Sequence, residues 1–295
     1  MYHKYALLKP VLEHLPLNPE ESFVAKSFDF PYYPTPWHFH PEYEIVLITE
    51  STGRRFIGDN ISDFKTGDLS ILGPNLPHVY RNDDEYYGSQ PHSYRAKSIV
   101  VHFLEKSFGD AFFSLPEANN IKTFLSRSKY GFDILGNTRK IVIDKLHQLI
   151  KLNGFSKLIK LMEILHLLSA SEELKKISYA HIIGKNEKES ERLNKVFEFV
   201  MKNFKQEIRI AEIADKVNLS ETSFSRYFSE RTKKSFTTFV IEVRLQHASK
   251  LLRENKLSVA EVCFASGYNN LSNFNRQFKN LYKVSPLTYG KHFHQ

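Results

Sequence analysis

Residues 210–231 are IAEIADKVNLSETSFSRYFSER, and residues 259–280 repeat their pattern as VAEVCFASGYNNLSNFNRQFKN. The two copies align with one extra residue in the turn of the second. Each predicts a short apolar helix, a turn that contains Asn218 or Gly267, and a second helix that opens at a polar cap. Two helices joined in this way form a helix-turn-helix, so the last third of the chain is predicted to be all-α.

The caps are predicted at Ser220 in the first copy and within the Asn269–Asn270 pair in the second. Phenylalanines spaced four apart give each second helix one apolar face, which would pack against the helix before it. The other face carries short polar side chains and one arginine in each copy, the types that contact base edges or phosphates. The predicted DNA-binding residues are Thr222, Ser223, Ser225 and Arg226 in the first copy, and Ser272, Asn273, Asn275 and Arg276 in the second.

Between the copies, residues 235–255 have the periodicity of one continuous helix. About 19 residues at roughly 1.5 Å each span about 28 Å. Successive major-groove faces of B-DNA are about 34 Å apart. One chain could therefore place two recognition helices in adjacent grooves of double-stranded DNA.

The charge distribution separates the two parts of this 295-residue chain, which is long enough for two domains. Residues 1–188 hold 23 Lys and Arg against 22 Asp and Glu, and the rest hold 18 against 11, which is a net +7 out of the total +8. A basic domain beside a neutral one favours a polyanionic partner, although a merely soluble basic surface would give the same charge. Cys263 is the single cysteine, which fits a reducing compartment.

The N-terminal part is predicted to be β-rich, because YEIVLITE, RRFIGD, GDLSILGP and KSIVVHF are separated by Gly, Pro, Asn and Asp. Helical periodicity follows near residues 117–129, 138–152 and 155–170. A charged stretch without a pattern then predicts a linker. The predicted domains are residues 1–173 and 189–295, with the linker at 174–188.

Residues 189–293 resemble the DNA-binding domain of the AraC/XylS family of transcription regulators. The most specific part is the second copy, with A-E-V-x-x-x-x-G-Y, then F-x-R-x-F-K, then S-P-x-x-Y. The family usually has glycine after each recognition helix, where this chain has Lys233 and Lys283, so a lysine is expected in a left-handed cap at a cost of about 1 kcal/mol. Gly290 stands where the family has an arginine after S-P-x-x-Y.

WHFHPEYEIVL at 37–47 and GDLSILGPNLPH at 67–78 resemble the two motifs of a cupin barrel. The fold class implied is α+β in two domains, a cupin-like β-barrel with trailing helices and a C-terminal double helix-turn-helix. The candidate site residues in the barrel are His38, His40, Glu44 and His78. Alternate residues of a strand face one way, so the two nearby histidines can converge on one ion.

Three interpretations of these four residues are open: a divalent metal site, with zinc as the candidate ion, a polar pocket for a sugar or other effector, and structural histidines at a barrel mouth. Trp37 and Tyr43 are expected to flank the cavity and offer aromatic faces to a ligand. Residues 155–170 carry two apolar stripes. The second stripe, Leu161, Ile164 and Leu168, packs either in the core or against a second copy of the chain.

The favoured function is a transcription regulator without catalytic residues, in which a ligand in the N-terminal domain changes DNA binding. The family resemblance implies a homodimer and contact with RNA polymerase. A metal-dependent cupin enzyme tethered to DNA is the alternative. An alkyl-transfer repair enzyme would need a reactive thiol, and Cys263 lies in an apolar helical position. The N-terminal sequence has no pattern of a signal peptide or membrane span, so a cytoplasmic protein without a membrane partner is expected.

Overall fold

A computed structural model of the protein describes residues 21–87, 94–109, 111–180 and 187–291. The chain divides into two compact units, residues 1–190 and 191–295. The first is built on antiparallel sheets and the second is helical, which confirms the predicted fold class. No helix in the described ranges is both long enough and apolar enough to cross a membrane.

The N-terminal unit contains two antiparallel sheets followed by three α-helices. Its strands are β1 (Val24–Phe30), β2 (Tyr43–Glu50), β3 (Thr52–Ile57), β4 (Asn60–Lys65), β5 (Leu69–Leu72), β6 (His78–Asn82), β7 (Ala96–Phe103), β8 (Phe132–Ile134) and β9 (Leu174–Lys176). Its helices are α1 (Asn119–Arg127), α2 (Gly136–Leu149) and α3 (Gly154–Ala170). One sheet has the order β1-β7-β2-β5-β8-β9, and the other has the order β4-β3-β6.

A buried arginine joins the inner faces of the two sheets. Arg55 of β3 donates hydrogen bonds to Ser62 at 2.9 Å, to Ser70 at 2.8 Å and to Asp133 at 2.6 Å. A buried guanidinium is tolerated when each donor has a partner, and Arg55 is only 5% exposed. This network links β3 of one sheet to β5 and β8 of the other.

Helix α3 packs one broad apolar face into the core of its own unit. Leu161, Ile164 and Leu168 are fully buried, as is Leu165. The hypothesis that the stripe of Leu161, Ile164 and Leu168 packs against a second copy is therefore wrong. Helix α3 contacts both α1 and α2, which explains why its apolar face is broad. The stripe therefore packs within one chain.

The start of the predicted linker belongs to the sheet. β9 pairs with β8, and the Ser178 hydroxyl lies 2.7 Å from Asp59 Oδ1 in the turn between β3 and β4. Gly58 in that turn has φ +57°, and a side chain there would meet Ser178. The sheet unit thus extends to at least residue 178, and residues 181–186 of the predicted linker lie outside the described ranges.

The C-terminal unit consists of seven helices in the described ranges. They are α4 (Glu187–Asn203), α5 (Ile210–Lys216), α6 (Glu221–Thr232), α7 (Phe236–Glu254), α8 (Val259–Ala265), α9 (Leu271–Tyr282) and α10 (Pro286–Lys291). The pairs α5–α6 and α8–α9 are the two predicted helix-turn-helix copies, and the 19-residue α7 is the predicted connecting helix.

Both turns and both caps form as the sequence predicts. Asn218 and Gly267 adopt positive φ angles of 55° and 83°. Ser220 accepts a hydrogen bond from the Ser223 amide at 3.3 Å, and Asn270 Oδ1 accepts one from the Asn273 amide at 2.8 Å. The two recognition helices therefore begin at equivalent positions in the two copies.

Both recognition helices end at a lysine in the left-handed conformation, as predicted. Lys233 has φ 57° and Lys283 has φ 64°. A residue with a Cβ is strained in this region, where glycine is not. We expect Lys233→Gly to raise the free energy of unfolding of this unit by about 0.5–1 kcal/mol.

Guanidinium unfolding of the full chain, followed by far-UV circular dichroism, measures this effect. The matched control is Lys233→Ala, which removes the same charge but keeps the Cβ and the strain. An equal gain in both variants would assign the effect to charge and contradict the conformational argument.

Candidate functional site

Two recognition helices present similar exposed faces. The inward faces are fully buried in both helices: Phe224 and Phe228 in α6, and Phe274 and Phe278 in α9. Seven of the eight predicted DNA-binding residues are exposed: Thr222, Ser223, Ser225, Arg226, Ser272, Asn275 and Arg276. The amphipathic pattern therefore predicted correctly that nearly all of these residues lie on the face away from the core of the unit.

Asn273 is the exception among these eight, since it is half-buried. Its Oδ1 accepts hydrogen bonds from Arg276 Nη2 at 3.0 Å and from Gln277 Nε2 at 3.2 Å. Gln277 in turn accepts a hydrogen bond from the Tyr268 hydroxyl at 2.7 Å. Asn273 thus orients the Arg276 guanidinium, a contact that the sequence pattern did not reveal.

A buried cluster of histidines and glutamates occupies the N-terminal unit. Strand β2 carries Glu44 and β6 begins at His78. His38 precedes β2 and is held to His78 by backbone hydrogen bonds of 3.1 and 2.9 Å. His40 is held by its carbonyl, which accepts from the Asn75 amide at 2.8 Å. All four predicted residues, His38, His40, Glu44 and His78, are at most 6% exposed.

Glu44 lies at the centre of the cluster. Its Oε2 is 2.9 Å from His78 Nε2 and 3.1 Å from His40 Nε2. One ligand atom from each of the four predicted residues lies within 4.8 Å of the others. The structure thus brings together the whole set that the two sequence motifs indicated.

Two further members were not predicted. His102 Nε2 lies 3.7 Å from Glu44 Oε2, and Glu42 Oε2 lies 3.4 Å from His40 Nδ1. His102 faces Glu44 because the two residues are opposite each other in the β2–β7 pairing. The sequence holds a signal for it, since His102 is the only titratable residue near the end of the apolar strand KSIVVHF, but only the strand register places it beside Glu44.

Burial and the neighbouring charged groups determine the protonation states in the cluster. Burial alone would lower the pKa of His40, but hydrogen bonds with Glu42 and Glu44 raise that pKa to about 9. Burial also opposes ionisation of Glu44, yet the surrounding histidines hold its pKa well below the usual range. Burial, together with His78 and His40, lowers the pKa of His38. An ionised carboxylate thus faces a neutral His38 and a protonated His40, and an ion that binds His40 would displace that proton.

The donor set fits a divalent metal ion such as zinc. The Nδ1 atoms of His38 and His78 are each 2.8 Å from a backbone carbonyl, of Pro36 and Leu76. A hydrogen bond donated by Nδ1 leaves Nε2 as the lone-pair donor, the arrangement common in metal-binding histidines. His78 Nε2 and His102 Nε2 are buried and face Glu44 Oε2 at 2.9 and 3.7 Å, but neither makes a hydrogen bond of ordinary geometry in the described part of the chain. Ring nitrogens that face one carboxylate without a well-formed hydrogen bond are suited to share a metal ion with it.

A cavity adjoins the cluster. His38, Glu44 and His78 form one wall, and Phe28, Phe30, Tyr33 and Tyr80 are the aromatic residues among the others. Trp37 and Tyr43 do not line it, so the expectation for these two side chains was wrong. Tyr43 precedes Glu44 on β2, and successive side chains of a strand point to opposite faces. It packs against Phe103 in the core instead.

Comparisons with known proteins agree with this division. A family model described as an AraC-like ligand binding domain matches residues 22–111, and a helix-turn-helix domain model matches residues 213–292. The Msm operon regulatory protein of Streptococcus mutans is 25% identical over 249 residues, which is 84% of each chain. The HTH-type transcriptional activator RhaR of Mannheimia succiniciproducens is 22% identical over 260 residues, or 88% of each chain.

A third relative, the HTH-type transcriptional activator RhaS of Klebsiella pneumoniae, is 24% identical over 273 residues, which is 90% of this chain and 91% of that protein. These similarities run through both units. With a ligand-binding domain followed by a helix-turn-helix domain, the chain belongs to the AraC/XylS family of transcriptional regulators.

Proposed function

We propose that this protein is a sequence-specific transcription regulator whose helices α6 and α9 enter adjacent major grooves of double-stranded DNA, and whose N-terminal barrel senses a small molecule. The observation that carries the proposal is the repeated helix-turn-helix joined by the continuous helix α7. At 19 residues, α7 spans about 28 Å, which is near the spacing of about 34 Å between groove faces.

Side-chain chemistry supports the DNA-binding part of the proposal. The exposed faces of α6 and α9 offer hydroxyls, amides and one guanidinium each, groups that bond to base edges and phosphates. The residues after 188 carry a net charge of +7, which favours a polyanion.

Selection of bound sequences from random double-stranded DNA with the full chain tests this function. We expect enrichment of one site that the chain binds about 10³-fold or more tightly than scrambled DNA, at a stated salt concentration. Residual binding to scrambled DNA should weaken steeply as salt is added. Absence of any enriched sequence would contradict the proposal.

In the barrel, we propose that His38, His40, Glu44 and His78 hold one divalent ion, with zinc as the candidate. The ion would supply positive charge and Lewis acidity beside the cavity. The Pro36 and Leu76 carbonyls would orient the His38 and His78 rings toward the ion.

We propose that ligand binding changes the affinity for DNA or the contact with RNA polymerase, without catalytic turnover. A sensor needs only a different ligand affinity in two states of the protein. A metal-dependent enzyme tethered to DNA is the second candidate, because a buried donor cluster beside a cavity also suits catalysis. Chemical change of a bound ligand would favour that candidate, and recovery of the ligand intact favours the sensor.

We propose a homodimer in the cytoplasm, as the family relationship suggests, and we place its contact on the exposed side of α3. Phe155 is 75% exposed and Ile159, one turn further on, is 46% exposed. Sedimentation of the full chain at tens of micromolar should show a dimer, a concentration range in which weak dimers are populated. Phe155→Glu with Ile159→Glu should sediment as a monomer.

The matched control for this dimer contact is His166→Glu, which adds a negative charge at an exposed position of the same helix. It should stay dimeric. A monomeric wild-type chain, or a double variant that remains dimeric, would contradict this contact.

A further inference from the structure

The cavity meets the histidine–glutamate cluster on one side only. His38, Glu44 and His78 line the cavity, whereas His40 does not. His40 lies on the closed side, with its ring centroid 4.5 Å from that of His102. A ligand atom in the cavity would therefore reach an ion held by the cluster only from this side, as a donor added to the four protein donors.

The remaining cavity walls are mostly apolar. The rings of Phe28 and Phe30 are stacked, with their centroids 5.6 Å apart, and the other apolar residues of the lining are Pro34, Val46, Ile48 and Val100. Thr35 and Ser98 add two hydroxyl groups to the lining. Such walls favour an apolar or aromatic body. A neutral polyol has more hydroxyl groups than Thr35, Ser98 and Tyr80 can pair, and its other hydroxyls would face apolar side chains without hydrogen bonds, which is costly.

Tyr80 supplies one polar group beside the cluster. Its hydroxyl oxygen is buried and makes no hydrogen bond of ordinary geometry among the described residues, and the Arg55 guanidinium lies close to it. Tyr80 lines the cavity, and a phenol O–H can donate a hydrogen bond to a ligand oxygen there. The other tyrosine of the cavity is already engaged, because the Tyr33 hydroxyl donates to the Lys97 carbonyl at 3.0 Å.

We propose that the effector is a small organic acid that coordinates the divalent ion through oxygen, accepts a hydrogen bond from Tyr80, and packs an apolar or aromatic body on Phe28 and Phe30. The oxygen of an already ionised acid would coordinate the ion directly, so no covalent bond within the ligand is made or broken and no redox partner is needed. This inference rests on the proposed metal-binding, ligand-sensing barrel, and it names the chemical class of its ligand.

Cobalt(II) in the full chain provides the test, because its visible spectrum reports the atoms that coordinate it. The probe is benzohydroxamate, an acid with two oxygen donors and a phenyl ring, and acetohydroxamate is the same donor without the ring. We expect benzohydroxamate to change the cobalt spectrum and to bind about tenfold or more tightly than acetohydroxamate, since burial of a phenyl ring is worth at least that ratio. The metal-free chain should bind benzohydroxamate at least about tenfold more weakly.

Two variants separate the contacts. Tyr80→Phe should weaken benzohydroxamate binding by about tenfold, the usual loss for one hydrogen bond, with unchanged cobalt affinity. Tyr86→Phe is the matched control, because the Tyr86 hydroxyl accepts from the Thr52 amide and lies outside the cavity lining. Phe28→Ala should weaken benzohydroxamate while leaving acetohydroxamate binding nearly unchanged.

The inference is overturned if the chain binds no cobalt, if benzohydroxamate leaves the cobalt spectrum unchanged, or if the metal-free chain binds it equally well. Stabilisation by a neutral sugar such as D-glucose, with none by either hydroxamate, would likewise overturn it. The DNA selection experiment does not depend on the class of effector. A negative result with cobalt and the hydroxamates would therefore leave the DNA-binding function unaffected, and failure of the inference can be told apart from failure of the proposed function.

Discussion

Replacing Arg226 and Arg276 together by alanine should lower the affinity of the full chain for its selected DNA site by about 30-fold at least. Each arginine occupies the same place in its helix-turn-helix copy, and both are exposed. A guanidinium that contacts a base is worth about 1–3 kcal/mol, so two such contacts give a loss of up to about 10⁴-fold. Fluorescence anisotropy with labelled selected and scrambled DNA measures both affinities.

Three controls make this result interpretable. Lys140→Ala removes an exposed positive charge from α2 and should leave DNA affinity unchanged. Arg276→Lys keeps the charge but loses the planar fork of donors, so it should retain scrambled-DNA binding and lose selectivity if Arg276 contacts a base. Circular dichroism should show native helix content in every variant. Full-strength binding by the double alanine variant would exclude both arginines from the interface.

Asn273 and Asn275 should respond differently. Asn275 is exposed, so Asn275→Gln should change the preferred base with little loss of total affinity. Asn273 holds Arg276 through the 3.0 Å hydrogen bond. Its replacement by alanine should therefore weaken selectivity at the position that Arg276 contacts, and Arg276→Ala should mask that effect.

Replacing His38 and His78 together by alanine should reduce zinc affinity by about a hundredfold or more, because two of four nitrogen or oxygen donors are lost. Wild-type chain should hold about one zinc per chain, measured by equilibrium dialysis and elemental analysis. Both side chains are almost fully buried, so the thermal midpoint of the metal-free variant is measured alongside.

His166→Ala is the matched control for the metal site, because His166 is exposed on α3 and far in sequence from the cluster. It should keep wild-type zinc affinity. His102→Ala should weaken zinc binding by about tenfold if His102 orients Glu44 from the neighbouring strand. Equal zinc retention by the His38 and His78 double variant would show that the ion binds elsewhere.

Most of the C-terminal fold could be predicted from local sequence patterns. The phenylalanines spaced by four residues, the polar caps and the turn residues Asn218 and Gly267 each act within a few positions of one another, so their structure follows from nearby sequence. The hydrogen bond between Asn273 and Arg276 is also local. An amphipathic pattern predicts that Asn273 lies near the exposed face, but it does not predict the hydrogen-bond partner of its side chain.

Non-local pairing limited prediction of the N-terminal unit. Strands β1, β4 and β6 and the three-residue strands β8 and β9 lack the long apolar runs of β2 and β7, and the sequence pattern does not predict them. The omission of β1 also removed Phe28 and Phe30 from the predicted cavity. His102 joins the cluster only through the register of β7 with β2. The motif residues His38, His40, Glu44 and His78 were predictable because they belong to two recognisable motifs.

Hydroxyl-radical footprinting and methylation interference of the full chain on its selected site test the central claim most directly. With α6 and α9 in adjacent major grooves, one chain should protect two segments on the same side of the duplex, with centres about 10 base pairs apart. Arg226→Ala should remove protection and interference mainly in one segment, and Arg276→Ala mainly in the other. A single protected segment, or one unaffected by both substitutions, would contradict the paired recognition helices.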